Sequence, residues 1–340
     1  MSNNNNKIRY QFTRHIQSCN NIFIFNKKQE PSATQYGIYH TTLFATNNQD
    51  RFISKRVFVS NLLRTWITAF ILYGINFKNK NTNKNTNKNT NKNTNKNTNT
   101  NKNNNDTLEL YVAPFLKEKK ASTLGFRFET GNYPQEITKT LHKFYVFLNK
   151  YVEMFSYLIK DLPGKIKITI PPPPEFLKNK NGNNYNRQKF IFTKTVNEYI
   201  FNCKDKSKIE DTIGPKCRDT RFLDDGDLQE FIKWHSSKNF KNNNIIHIVT
   251  HSQIMFQYLK DKNINSNLYK THKHENCWSF LTDKDDNSEK IEFKNGVSEH
   301  LHLHKETNLK DPKTFEKNQK NYSLCVNNKK TIFNNTCPQK

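Results

Sequence analysis

Short runs of apolar residues, some continuous and some alternating with polar ones, mark the predicted β-strands. Near the start of the chain Ile8, Tyr10 and Phe12 alternate with polar residues, which is typical of a strand with one buried face. The run at 245–250, Ile-Ile-His-Ile-Val-Thr, is largely apolar and is typical of a fully buried strand. Further strands are predicted at 56–60, 108–114 and 165–170.

Apolar residues at helical spacing predict the helices. The helix after the second strand is apolar on most of its surface, as expected for a buried helix. The predicted helices cover about 34–47, 62–72, 141–160, 188–201, 228–240 and 252–261. We interpret these elements as an open α/β sheet, in which ligands bind at the carboxyl ends of the strands.

Side chains suited to phosphate chemistry follow four of the predicted strands. Arg14 and His15 end the first strand, and Arg64 lies on the first turn of the helix after the second. Glu118 follows the third strand, and His251 directly follows the run at 245–250. We expect these side chains to meet at one edge of the sheet. The alternative, for Arg14 and His15 alone, is an exposed pair on a loop.

Five short motifs occur in order along the chain. They are Arg14-His15 with Ser18 and Asn21, Thr34 with Gly37, Ser60 with Arg64, Thr68 and Ala69, Pro114 with Glu118, and Thr250-His251-Ser252. Together they resemble the R-H-G/A-x-S-x-x-N, L-T-x-x-G, S-x-L-x-R-x-x-x-T-A, P-x-L-x-E and T-H-G/S motifs of the histidine phosphatase, or phosphoglycerate mutase-like, superfamily. The resemblance covers less than half of the chain.

The resemblance implies a three-layer α/β/α sandwich with a mostly parallel central sheet. It divides the chain into a core of residues 7–77, 106–119 and 228–290, a low-complexity insertion at 78–105, an α-rich cap insertion at 120–227, and a polar C-terminal extension at 291–340. In the family, insertions at the place of the cap cover the active site and select the leaving group.

The resemblance also implies a role for each candidate residue. His15 would be the nucleophile that becomes phosphohistidine, and Glu118 would protonate the leaving group, which calls for a raised pKa. Arg14, Arg64 and His251 would bind the transferring phosphate, and Asn21 would hold an oxygen or orient the loop. The expected activity is hydrolysis of a phosphomonoester, with no cofactor and no metal ion.

Two departures from the family motifs change the expectation. Ile16 stands where the family has Gly or Ala, which predicts an altered pocket floor beside the nucleophile. The segment after Glu118, Lys119-Lys-Ala-Ser122, lacks the Arg and Tyr-Gly of the mutase branch, which favours a phosphatase. The competing class is a catalytically silent, phosphatase-like binding protein or a basic nucleic-acid-associated protein.

The charge balance favours an anionic partner. The 340 residues include 55 Lys and Arg against 30 Asp and Glu, a formal net charge of +25. A phosphorylated small molecule or a phosphoprotein is the expected substrate, and nucleic acid is a less favoured partner. The alternative is that the positive charge is ordinary solvated surface charge without a specific partner. The segment 78–105 repeats Asn, Lys and Thr without an apolar residue, so we expect a disordered surface loop.

The remaining features of the sequence indicate the cellular compartment of the protein. The six cysteines form no C-x-x-C pair and are interpreted as free thiols in a reducing compartment. No run reaches the length of about 18 apolar residues needed to span a membrane, so a cytoplasmic protein is expected. Alternating histidines at 300–304, and the looser group of His272, His274 and Cys277, are interpreted as ordinary side chains rather than zinc sites.

Overall fold

The computed structural model describes thirteen segments of the chain. They are residues 8–18, 33–75, 77, 107–118, 137–155, 159, 162–170, 197–202, 226–238, 240, 245–264, 275–283 and 291–298. Several predictions lie outside these residues and stay predictions. They concern Asn21, His272, His274, the repeat at 78–105 and the histidines at 300–304.

A mixed, mostly parallel sheet forms the centre of the described structure. Eight strands lie in the order β5-β4-β3-β2-β6-β1-β8-β9. They are β1 (Arg9–Arg14), β2 (Arg56–Val59), β3 (Thr107–Val112), β4 (Lys165–Ile170), β5 (Asn197–Asn202), β6 (Ile245–Thr250), β8 (Ser279–Asp283) and β9 (Glu292–Lys294). The five strands from β4 to β1 are parallel, while β5, β8 and β9 run antiparallel to their neighbours. A separate two-stranded ribbon pairs β7 (Glu275–Asn276) with β10 (Val297–Ser298).

The register of the central strands sets where the candidate residues emerge. β6 lies between β1 and β2, with Thr250 opposite Arg14 and Val249 opposite Val59. All three strands are parallel, so their carboxyl ends lie at one edge of the sheet. The residues that follow these strands must therefore leave the sheet side by side.

Five α-helices are described, and they cover both faces of the sheet. They are α1 (Gln35–Asn47), α2 (Leu63–Gly74), α3 (Ile137–Met154), α4 (Leu228–Ser236) and α5 (Ser252–Asp261), with a short 3₁₀ turn at Gln49–Arg51. Val57 and Val59 of β2 belong to a core cluster with α1, α2 and α3, whereas Phe58 belongs to a second cluster with α4 and α5. Successive side chains of a strand point to opposite faces, so the two clusters lie on the two sides of the sheet.

The structure corrects the predicted helix at 188–201. Residues 197–202 form β5, which pairs with the whole length of β4 in antiparallel register. Residues 188–196 lie outside the described residues. A short run with few apolar residues fits the period of a helix as well as that of a strand. Here the hydrogen bonds offered by β4 decide the conformation.

The segment predicted as a cap contributes to the main sheet and its core. Within 120–227, β4 extends the sheet beside β3, and Phe144, Phe147 and Tyr151 of α3 pack in the same cluster as α2. These described parts belong to the body of the fold rather than to a separate cap. In the predicted polar extension, residues 292–294 form β9, so its first residues also belong to the sheet.

Among the described residues, no helix combines the length and the apolar character that crossing a membrane would need.

Candidate active site

The edge at the carboxyl ends of the parallel strands brings together five of the six predicted site residues. They are Arg14, His15, Arg64, Glu118 and His251, while Asn21 lies outside the described residues. The potential ligand atoms of His15, Glu118 and His251 all lie within 4.8 Å of one another. These three side chains therefore lie close together at this edge of the sheet.

The backbone of His15 is fixed at the end of β1, and one nitrogen atom of its ring lies in a hydrogen bond. Its backbone N–H donates to the carbonyl oxygen of Thr250 at 2.9 Å, so the residue stays fixed against β6. Its Nδ1 lies 2.5 Å from the carbonyl oxygen of Ile16. A carbonyl oxygen only accepts, so this bond assigns the proton to Nδ1. The lone pair of the neutral ring then lies on Nε2.

The surroundings of His15 favour its neutral form. Burial lowers its pKa well below the ordinary 6.5, and the positive charge of Arg64, His251 and Arg14 acts in the same direction. The bond to the Ile16 carbonyl opposes this shift without reversing it. The imidazole is therefore unprotonated on Nε2 at neutral pH, which is the state a nucleophile needs.

The Ile16 side chain lies in the core beneath the site. It is fully buried in the cluster formed with α1 and α2, and its backbone N–H donates to Thr68 Oγ1 at 2.8 Å. Gly37 makes room for it, because a Cβ there would lie 3.0 Å from Ile16 Cγ1. Ile16, which was expected to alter the pocket floor, is thus accommodated by Gly37 in the first turn of α1.

Arg14 is oriented by a ribbon that sequence analysis did not connect with the site. Its Nη1 donates to the carbonyl oxygen of Glu275 at 2.8 Å, and its backbone N–H donates to Trp278. Gly296 packs directly on this ribbon, since a Cβ there would lie only 2.0 Å from the Asn276 carbonyl oxygen. In the sequence, only the glycine itself hinted at such a close approach.

Buried Arg64 and partly buried Glu118 form an ion pair on the other side of the site. Arg64 is the second residue of α2, and its Nη2 donates to Glu118 Oε2 at 2.9 Å. The same Nη2 lies 3.2 Å from Nδ1 of His251. One guanidinium group therefore links the residues that follow β3 and β6.

The pKa of Glu118 departs from the sequence-based expectation. Burial alone would raise it, but the contacts with His251 and Arg64 outweigh burial and hold the pKa below its ordinary value. The family role implied a raised pKa for a general acid. With these partners the carboxyl group is ionised at neutral pH, because its charged form accepts both hydrogen bonds.

His251 is fully buried between two partners. Its Nδ1 lies 3.1 Å from Glu118 Oε2, and its Nε2 lies 2.9 Å from Ser60 Oγ. Burial lowers its pKa; the Glu118 carboxylate acts against this shift, and Arg64 acts with it. Ser60 belongs to one of the sequence motifs, but the sequence predicted no role for it. Its contact with His251 is evident from the structure alone.

Of the looser group of His272, His274 and Cys277, the structure describes Cys277. Cys277 is buried at φ 59° in the ribbon beside Arg14, and its Sγ lies 3.6 Å from Thr41 Oγ1. Burial raises the pKa of the Cys277 thiol to about 11, so it stays protonated. Its two predicted companions lie outside the described residues.

The charge of the site suits an anion better than a cation. His15, Glu118 and His251 are spaced closely enough to hold a metal ion. However, the oxygen of Glu118 and Nδ1 of His251 that a cation would need already contact Arg64. Arg14 adds a second buried guanidinium group, so the site has more fixed positive than negative charge. A tetrahedral oxyanion matches these donors.

Comparison with known proteins does not assign the chain to a family: no protein-family model matches it, and no curated protein sequence matches it at a significant level.

Proposed function

We propose that the protein is a phosphatase that hydrolyses a phosphomonoester through a phosphohistidine intermediate on His15. The observation that carries the proposal is the state of that ring. Nδ1 is committed to the Ile16 carbonyl, the lone pair lies on Nε2, and two arginines and a second histidine surround it. A neutral nucleophile among cationic donors is the arrangement that attack on a phosphate dianion requires.

In the first step Nε2 of His15 attacks phosphorus, so a P–N bond forms and the P–O bond to the leaving group breaks. Arg14 and Arg64 bind the phosphoryl oxygens through charge-assisted hydrogen bonds, and His251 adds a further donor through Nδ1. These groups stabilise the charge of the transition state. They supply the positive charge that a metal ion supplies in other phosphatases.

Glu118 supplies the proton for the departing oxygen. Its carboxyl group is ionised while Arg64 and His251 are bonded to it. A bound phosphate oxygen competes for the same two donors, and the largely buried carboxylate then takes up a proton from solvent because its neutral form is favoured. In the second step the carboxylate accepts a proton from water, which attacks phosphorus and releases inorganic phosphate from His15.

Several finer expectations belong to the same proposal. The absence of the mutase segment after Glu118 favours net hydrolysis over transfer between hydroxyl groups. A small phosphorylated metabolite or a phosphoprotein in the cytoplasm is the proposed substrate. The predicted role of the insertion at 120–227 in selecting the leaving group concerns residues that lie largely outside the described ones.

A non-catalytic, basic binding protein is the second candidate. The observation in its favour is the net charge of +25, which suits a nucleic acid as well as a phosphate ester. The buried position of Arg14, His15 and Arg64 favours a single phosphate group over a polymer backbone. The two candidates differ in whether the protein turns over a phosphomonoester.

Rapid quenching of the full chain with a radiolabelled aryl phosphate tests the proposal. The label should be held by a P–N bond, labile to acid and stable to alkali, on the peptide that contains His15. His15→Ala should abolish both the label and turnover. His40→Ala is the matched control, because His40 lies on α1 with its ring against Tyr39, and it should retain both. Label on serine or cysteine, or turnover in His15→Ala, would refute the proposal.

A further inference from the structure

The ring of His251 is held at both nitrogen atoms by groups of different kinds. Nδ1 faces the site, 3.1 Å from Glu118 Oε2 and 3.2 Å from Arg64 Nη2. Nε2 faces away from these groups and lies 2.9 Å from the hydroxyl oxygen of Ser60. The ring is fully buried, so its orientation depends on these contacts. Ser60 is thus the contact of the nitrogen atom that lies on the far side of the ring from Glu118 and Arg64.

The Ser60 hydroxyl has two further partners besides His251. Ser60 is fully buried at the end of β2, and its oxygen accepts from the backbone N–H of Leu62 at 3.2 Å. It also lies 3.1 Å from Thr65 Oγ1. Thr65 donates its own hydroxyl proton to the Leu62 carbonyl oxygen at 2.7 Å, which leaves its oxygen able to accept. The Ser60 proton can thus go to either His251 or Thr65.

This pair of hydroxyl groups satisfies His251 in each protonation state. When only Nδ1 carries a proton, Ser60 donates to Nε2. When Nε2 carries a proton, that N–H donates to Ser60, and the Ser60 hydroxyl rotates to donate to Thr65. A serine oxygen can accept two hydrogen bonds and donate one, so neither state leaves a buried polar atom of the ring unpaired.

We propose that Ser60, supported by Thr65, is a positioning residue for His251. It keeps Nδ1 directed at the anion site and accommodates the gain and loss of a ring proton as phosphate is bound and transferred. The catalytic consequence rests on the proposed phosphatase function, whereas the orientation of the ring does not. The two parts can therefore fail separately.

The same contacts invite a different interpretation, with Ser60 as a nucleophile. Ser60, His251 and Glu118 are connected like the triad of a serine hydrolase. The Ser60 hydroxyl, however, is completely buried, and the described non-glycine residues with positive φ are Phe115, Asn263 and Cys277. Ser60 is thus not on the strained, exposed turn that presents such a nucleophile. Its geometry suits orientation of the ring.

Nuclear magnetic resonance of the histidine side chains tests the positioning role without requiring turnover. Long-range proton–nitrogen spectra of the full chain report the tautomer of His251, assigned with His251→Gln. In Ser60→Ala the signals should show an altered tautomer population and a His251 titration shifted to lower pH. Thr65→Val should shift the titration in the same direction, while Thr65→Ser, which keeps the hydroxyl, should match the unmodified protein.

Kinetics test the consequence for catalysis. In Ser60→Ala, kcat should fall roughly tenfold or more with a smaller change in KM, the size usual for a group that orients a functional histidine. Thr65→Ser should retain kcat. Unchanged His251 signals in both folded Ser60→Ala and Thr65→Val would overturn the inference, as would phosphate trapped on Ser60. Shifted His251 signals in a protein without phosphatase activity would support the positioning role and refute only the proposed function.

Discussion

The contact between Ile16 and Gly37 leads to a quantitative prediction about how the site is supported. A methyl group at residue 37 would lie 3.0 Å from Ile16 Cγ1 and 2.9 Å from the Gln17 carbonyl oxygen. Gly37→Ala should therefore displace Ile16, whose carbonyl oxygen accepts the hydrogen bond from the ring of His15. Ile16→Ala should remove the contact with Ile16 Cγ1 and leave the contacts with Gln17 in place.

The magnitudes follow from the burial of each side chain. Ile16→Ala removes part of a fully buried side chain and should destabilise the fold by about 2–5 kcal/mol. Gly37→Ala gains about 1 kcal/mol of helix propensity but adds overpacking of about 1–3 kcal/mol. In the double variant the new methyl group no longer meets Ile16 Cγ1, so the part of the overpacking that comes from this contact is removed. We expect the double variant to be at least about 1 kcal/mol more stable than the sum of the single changes predicts.

Urea unfolding followed by the fluorescence of the three buried tryptophans measures these free energies. Gly74→Ala is the matched control, because its Cβ would meet Phe70 and Leu108 instead of Ile16. Combined with Ile16→Ala, it should be additive within about 0.5 kcal/mol. If Gly37→Ala and Ile16→Ala were equally additive, the two residues would not be coupled, and the account of how Ile16 is accommodated would be wrong.

Three further predictions concern the charged groups. The depressed pKa of His15 places the acid limb of kcat/KM below pH 6.5, and a limb at or above 6.5 in a pH–rate profile would contradict it. The folded pKa of Glu118 lies below its ordinary 4.5, so its stabilising contribution is complete above pH 4.5 and is lost as the pH falls through the folded value. Urea unfolding of Glu118→Gln should accordingly approach the unmodified protein on acidification, not stay offset. Gly296→Ala should displace the Asn276 carbonyl, loosen the ribbon that orients Arg14 and raise KM, whereas an unchanged KM would exclude this support.

The sequence by itself determined the central strands and the residues at their ends. Alternating or continuous apolar runs depend on burial of one or both faces, and this requirement is local enough to read from residues 8–12, 165–170 and 245–250. The predicted strand ends also indicated that Arg14, His15, Arg64, Glu118 and His251 lie at one edge. Each follows or lies near the carboxyl end of a strand, and parallel pairing brings such ends together.

Only the tertiary structure decided how these groups act on one another. Whether 197–202 is a helix or a strand depends on the hydrogen bonds offered by β4, far away in sequence. The pKa of Glu118 depends on its contacts with Arg64 and His251, and burial alone would have shifted it the other way. The fit of Ile16 depends on Gly37, and the orientation of His251 depends on Ser60. These properties arise between residues that fold together from distant parts of the chain, so no local pattern could specify them.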